Sequence, residues 1–207
     1  MGKVKIKKKA IWIDMTPMSD VMVLLLTFFM LTSTFVKNEP VKVNTPGSVS
    51  EIKVPEKNVL NILVDKKGKI FLGMDNPEDM QEVISTVAQK YGVSLSDAQL
   101  KNSRTAVGIG VDVSELPQFL SLKSADFNAY QATKGIPTDS VAEGDKKSQF
   151  QNWVSAVREL PNGADTKLAI KADADTPYKV VKKVMSELQD MSENRYYLIT
   201  SYKKVED

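Results

Sequence analysis

Ile13-Asp14-Met15-Thr16-Pro17-Met18-Ser19-Asp20-Val21-Met22-Val23-Leu24-Leu25-Leu26-Thr27-Phe28-Phe29-Met30-Leu31-Thr32-Ser33 is a single hydrophobic segment with a carboxylate set into its beginning. Between residues 10 and 36 the only full charges are Asp14 and Asp20. A helix over that stretch would be roughly 40 Å long, ample for a hydrocarbon core of about 30 Å. The uninterrupted apolar part, residues 21–36, reaches only about 24 Å. A membrane would therefore also take in residues before it, which places Asp20 inside the bilayer or at its edge. One transmembrane helix over 11–36 is the first expectation. Pro17 suits its first turn, with Thr16 as the N-cap.

Charge on either side of this segment is unequal. Lys3, Lys5, Lys7, Lys8 and Lys9 precede it, whereas Lys37 and Lys42 alone closely follow. That bias predicts a basic cytoplasmic tail over 1–10 and a carboxy-terminal portion outside. The same lysines beside a membrane segment read as topology signals rather than as a nucleic-acid patch. The remaining stretch of about 165 residues is enough for one domain with its own core. The chain has no Cys and no His. Disulfides and thiolate metal sites are excluded, and the usual general base and commonest metal ligand are missing. Neither an enzyme nor a cofactor nor a metal is expected.

Three readings of the apolar segment compete. A cleaved secretion signal has a basic start and a short apolar core, but no Ala-x-Ala-like site follows and an acid heads the core. A plain signal anchor would leave Asp20 as a marker of the membrane edge. The third reading starts from cost: a charged side chain near the bilayer centre costs about 2.5–3.5 kcal/mol on insertion scales, so such residues face protein or water and serve transport. Spacings of four and three place Leu24, Thr27, Leu31 and Thr34 on one stripe with Asp20. The threonines have a second explanation, because hydroxyls in membrane helices also bond back to their own carbonyls. A carboxyl group whose burial favours the neutral form and whose contacts favour the ionised one can take up and release a proton as its surroundings change.

The run from Asp14-Met15-Thr16-Pro17-Met18-Ser19-Asp20-Val21 through Phe28-Phe29-Met30 to Thr32-Ser33 resembles the membrane signature of the ExbD/TolR family of biopolymer-transport proteins. The resemblance implies an inner-membrane protein whose helix, as a homodimer, sits within a ring of ExbB- or TolQ-like subunits. Proton flow through that ring would drive motion passed to a TonB- or TolA-like partner in the periplasm. By position, Asp20 matches the family's proton-accepting aspartate, Asp14 the Asn/Asp position before Thr-Pro, and Thr16 and Pro17 the pair itself. Thr27 rests on helical spacing alone. The alternative, from a different class, is a signal-anchored periplasmic module that binds a ligand or partner and has no proton role.

Residues 37–57, rich in Lys, Glu, Pro, Ser and Val without helical period, read as an extended periplasmic linker. Within it Val41-Lys42-Val43-Asn44-Thr45-Pro46 resembles the family's apolar-x-apolar-x-Leu-Pro element, which implies strand pairing through Val41, Val43 and Pro46, although Thr45 replaces the Leu. Residues 58–207 are expected to form a small α+β domain. Residues 59–64 and 70–72 predict a hairpin turned by Asp65-Lys66-Lys67-Gly68. Asn76 caps a helix to about Tyr91, ended by Gly92, with Met80, Val83, Ile84 and Val87 inward. A strand over 167–172, a helix opened by Thr176-Pro177 and a strand over 196–200 complete it. Residues 92–147 depart from the family pattern and are expected as an inserted surface excursion, with a strand at 105–111 and one short helix within a polar loop at 119–145. A helix over 150–160 follows. Asp173 and Asp175, spaced like cation ligands, are better explained by the helix start beside them. Gly108-x-Gly110 lacks the third glycine of a phosphate loop.

Overall fold

The computed structural model describes residues 15–33, 39–48, 57–138 and 147–202. It divides into two units, 1–37 and 38–207, taken here each by itself. The first holds one helix, α1 (Thr16–Thr32, 17 residues). It covers residues 16–32 of the expected span over 11–36, of which residues 11–14 and 34–36 lie outside the described residues. Among the described residues no helix is long and apolar enough to cross a membrane, since 17 residues rise only about 26 Å. The helix start also differs: Met15 holds the N-cap position without a side-chain cap bond, Thr16 is the first helical residue and Pro17 the second. Pro fits there because its missing N–H has no intrahelical acceptor to serve.

The second unit is a mixed α+β fold. Its strands are β1 (Gly47–Ser48), β2 (Val59–Val64), β3 (Ile70–Met74), β4 (Gly108–Ile109), β5 (Lys167–Ala172), β6 (Tyr196–Leu198) and β7 (Ser201–Tyr202). Its helices are α2 (Pro77–Lys90), α3 (Asp97–Ser103), α4 (Leu116–Leu120), α5 (Phe127–Gln131), α6 (Gln149–Glu159) and α7 (Tyr178–Asp190). Five strands form one sheet in the order β4-β3-β2-β5-β6, with β2 antiparallel to β3 and parallel to β5. The β2–β3 turn closes through Gly68 N donating to Asp65 O at 2.7 Å, with Gly68 at φ +76°. Positive φ costs an L side chain strain that glycine escapes.

The pleat sorts residues by face. Leu60, Ile62, Val64, Leu72, Leu168 and Ile170 pack into the core with Val83, Ile84 and Val87 of α2 and Phe150, Trp153 and Val157 of α6. Asn76 caps α2 as its spacing predicts, accepting from Glu78 N at 3.1 Å. Ser148 and Gln151 form a capping box on α6. Arg158 fastens the far end of α6, pairing both its Nε and Nη2 with Glu193 and giving Nη1 to the carbonyls of Gly163 and Thr166. The start of α7 is shifted from the expected Thr176-Pro177. Pro177 is the cap residue, and the Thr176 hydroxyl donates instead to the carbonyls of Val64 and Asp65.

Residues 92–138 are more ordered than the expected excursion. Where one short helix was expected within 119–145, the described part holds the end of α4, a single helical turn at Ser124–Asp126 and α5; α3 and a helical turn at Val113–Glu115 precede it, and only Gly108–Ile109 of the expected strand joins the sheet. Val111, Leu116, Phe119, Leu120, Phe127 and Ile136 are buried in the main core. The polar composition of this stretch hid the few apolar side chains that carry the packing. Gly108 and Gly110 are there for close approach: a Cβ on Gly110 would lie 1.9 Å from the Phe71 ring, and one on Gly108 2.6 Å from Leu72 O.

Candidate functional site

Every residue of α1 is exposed, and ten large apolar side chains of residues 21–31 are among them, Leu31 at 87%. A continuous apolar surface of that size marks contact with lipid or protein. Asp20 is the fifth residue of the helix, one turn inside it. It lies beyond the four free amides that an acidic cap would serve, so capping does not account for it. Spacing puts Leu24, Thr27 and Leu31 on its face. Thr27 donates to Leu24 O at 2.9 Å, and its donor is spent within the helix. Ser19 and Thr32 do likewise, to Met15 O at 3.1 Å and Phe28 O at 2.8 Å, two bonds that the stripe reading missed although residue type and spacing carry the signal. Every hydroxyl resolved in this way turns inward to the backbone, which leaves Asp20 as the one ionisable group of α1. Asp14 and Thr34 lie outside the described residues.

The second group of expected residues stands in 39–48, which does not run as a free linker. Val41 and Val43 are half-buried and Lys42 and Asn44, which alternate with them, are exposed, the pattern of an extended chain lying on a surface. Glu39 pairs with Lys171 of β5. Pro40 is buried, and its ring stands where a Cβ on Gly108 would come to 2.9 Å. Lys171 is in register with Leu63, so both contacts fall on the sheet face that carries Leu63, Phe71 and Ala169, the one opposite α2 and α6. The chain then leaves along the end of β5. Asn44 N donates to Asp173 Oδ2 at 2.9 Å, and Ala174 N donates to Asn44 O at 2.8 Å. Ser201 N donates to Pro46 O at 3.0 Å, and β1 pairs in parallel with β7. Strand pairing therefore occurs at Gly47–Ser48, just past Val41, Val43 and Pro46. The sequence held no local signal for this strap, because its hydrogen-bond and ion-pair partners lie more than a hundred residues away.

Asp173 joins the strap to the domain. Its second oxygen accepts from Asp175 N at 3.1 Å. These amide donors, Asp175 first and Asn44 next, hold its carboxyl below the ordinary carboxylate range. Both oxygens are thus committed to backbone amides. Among the described residues no cluster of three or more His, Cys, Asp or Glu could hold a metal.

An apolar helix bearing one carboxylate is followed in sequence by a small α+β domain with its own core. The chain belongs to the biopolymer transport protein ExbD/TolR family, whose model matches residues 7–202. No curated protein and no solved structure matches it. The family is one of biopolymer-transport energy transduction, typically in the inner membrane, and its members are not enzymes. Membership implies a membrane-associated transport complex with partners such as ExbB or TolQ.

Proposed function

We propose that this chain is the ExbD/TolR-like subunit of a proton-driven inner-membrane motor, with Asp20 as the group that binds and releases the proton. The observation that carries the reading is α1: an apolar helix exposed on all sides, with one carboxylate set a full turn inside it. In this reading α1 is the single membrane pass. Its length of about 26 Å is somewhat short of a typical core, a mismatch that bilayers meet by thinning or helices by associating. Residues 1–10 are cytoplasmic, and residues 58–207 form the periplasmic domain, reached through 37–57. Two copies of α1 stand within a ring of ExbB- or TolQ-like subunits, with Asp20, Leu24, Thr27 and Leu31 toward the partner. Thr16 and Pro17 set where the helix begins.

One proton moved through 100 mV supplies about 2.3 kcal/mol, so a few per cycle are enough to switch a packed helix pair without nucleotide. The motion passes to a TonB- or TolA-like protein in the periplasm, and the 39–48 strap with Val41, Val43 and Pro46 is the segment best placed in sequence to transmit it. Asp20→Asn should leave expression and ring assembly intact while abolishing energy-dependent transport. Full transport by that variant would overturn the proposal. Replacing residues 10–36 with an unrelated membrane anchor separates this reading from a tethered binding module, since the module would keep its function.

A further inference from the structure

Asn162-Gly163 is the one Asn-Gly step in the chain. Asparagine is thermolabile, most of all before glycine, because no side chain shields the glycine nitrogen and the backbone there turns freely. In that reaction the Gly163 nitrogen attacks the side-chain Cγ of Asn162. The new N–C bond closes a five-membered succinimide, the bond from Cγ to the side-chain nitrogen breaks, and ammonia leaves with the Gly163 amide proton. Water then opens the ring at either carbonyl, giving aspartate or isoaspartate.

Packing demands this glycine. Gly163 is buried, and a Cβ on it would lie 2.4 Å from Val157 O and 2.6 Å from Arg158 O, so the turn between α6 and β5 has no room for a side chain there. Asn162 beside it is exposed, open to water and base. The reactive step is thus imposed by the fold at a place the chemistry can reach.

The same fold opposes ring closure. The Gly163 nitrogen must swing round to the Asn162 side chain by rotation about the Asn162 Cα–C bond, which also carries the Asn162 carbonyl. Both sides of that peptide are tied. Gly163 N donates to Leu160 O at 2.9 Å, and Asn162 O accepts from Asp165 N and from the Thr166 hydroxyl, each at 3.1 Å. Around them, Arg158 Nη1 donates to the carbonyls of Gly163 and Thr166, while Nε and Nη2 hold the Glu193 carboxylate at 2.6 and 2.7 Å. This forked pair is half-buried and fixes direction as well as distance. We propose that Asn162 is a deamidation site which the native turn keeps unreactive, with Arg158 and Glu193 as its lock, and which reacts when that turn opens locally. None of these groups has a part in the motor reading.

Peptide mapping by mass spectrometry, which resolves Asn162 from aspartate and isoaspartate, tests this on the full chain held in phosphatidylcholine nanodiscs at mildly alkaline pH. The chain unfolded in urea sets the unguarded rate. The native chain should convert at least about tenfold more slowly. Arg158→Gln should recover most of that difference, and Glu193→Gln, which keeps the bonds to the two carbonyls, a smaller part. Asn76→Ala, which removes the cap of a different helix, should stay at the parent rate. If circular dichroism shows Arg158→Gln unfolded, the rate of Glu193→Gln decides. The proposal is overturned if the native chain deamidates at Asn162 as fast as in urea, if the folded lock variants keep the parent rate, or if Asn76→Ala speeds the reaction as much as they do.

Discussion

Asp173 shows how a single carboxylate can tie two distant segments and make their contact depend on pH. The amides of Asp175 and Asn44 stabilise its ionised form, so its folded-state value lies below the ordinary one. A depressed acid contributes stability that is fully present above the unfolded value of about 3.9 and is lost as pH falls through the lower folded value. The protection factor of the Asn44 amide, its exchange rate relative to the intrinsic rate at each pH, should therefore be constant at neutral pH and fall in acid below about pH 4. Asp173→Ala should lower that protection factor at every pH and abolish its pH dependence. At the same scale, Asn76→Ala should lower stability by about 1 kcal/mol in a thermal or urea melt, the ordinary cost of removing an N-cap. Asn76 was readable from the sequence because a cap and its amide are two residues apart. Asp173 was readable as a helix-start residue only in part, since half of its role depends on Asn44, 129 positions away.

Elements give the same division. β2, β3, α2, α6, β5 and α7 follow from apolar runs, turn residues, helical period and caps, each a property of neighbours in the chain. The polar loop expected over 119–145 was misread in its described part because its apolar residues are few and irregularly spaced, yet they meet in the core. Phe119 is fully buried, with its ring 4.6 Å from that of Phe127. Phe119→Ala should cost about 3–5 kcal/mol in an equilibrium unfolding experiment; a change within a few tenths would mean the stretch is only surface decoration. Gly110→Ala should destabilise by about 1–3 kcal/mol or more, because the added methyl has nowhere to go but into the Phe71 ring. The strap 39–48 is an element of the tertiary structure alone: its hydrogen bonds reach Asp173, Ala174 and Ser201, and no local pattern announces them.

For the molecule as a whole, the second unit has a hydrophobic core of its own. A chain beginning at residue 38 should accordingly melt cooperatively, with a midpoint within a few degrees of the parent domain's in the full chain, as calorimetry can check. The composition, the single apolar segment with its acid and the alternating strands and amphipathic helices were determined by the sequence itself, because each is a short-range arrangement that water sorts in the same way in any fold. The sequence likewise carried the family signature that the match over residues 7–202 shows. Only the tertiary structure decided that residues 92–138 build core and that residues 39–48 lie strapped on the sheet. Each of those depends on contacts closed between distant parts of the chain, where loop-closure entropy is repaid by burial and hydrogen bonds that no local window contains.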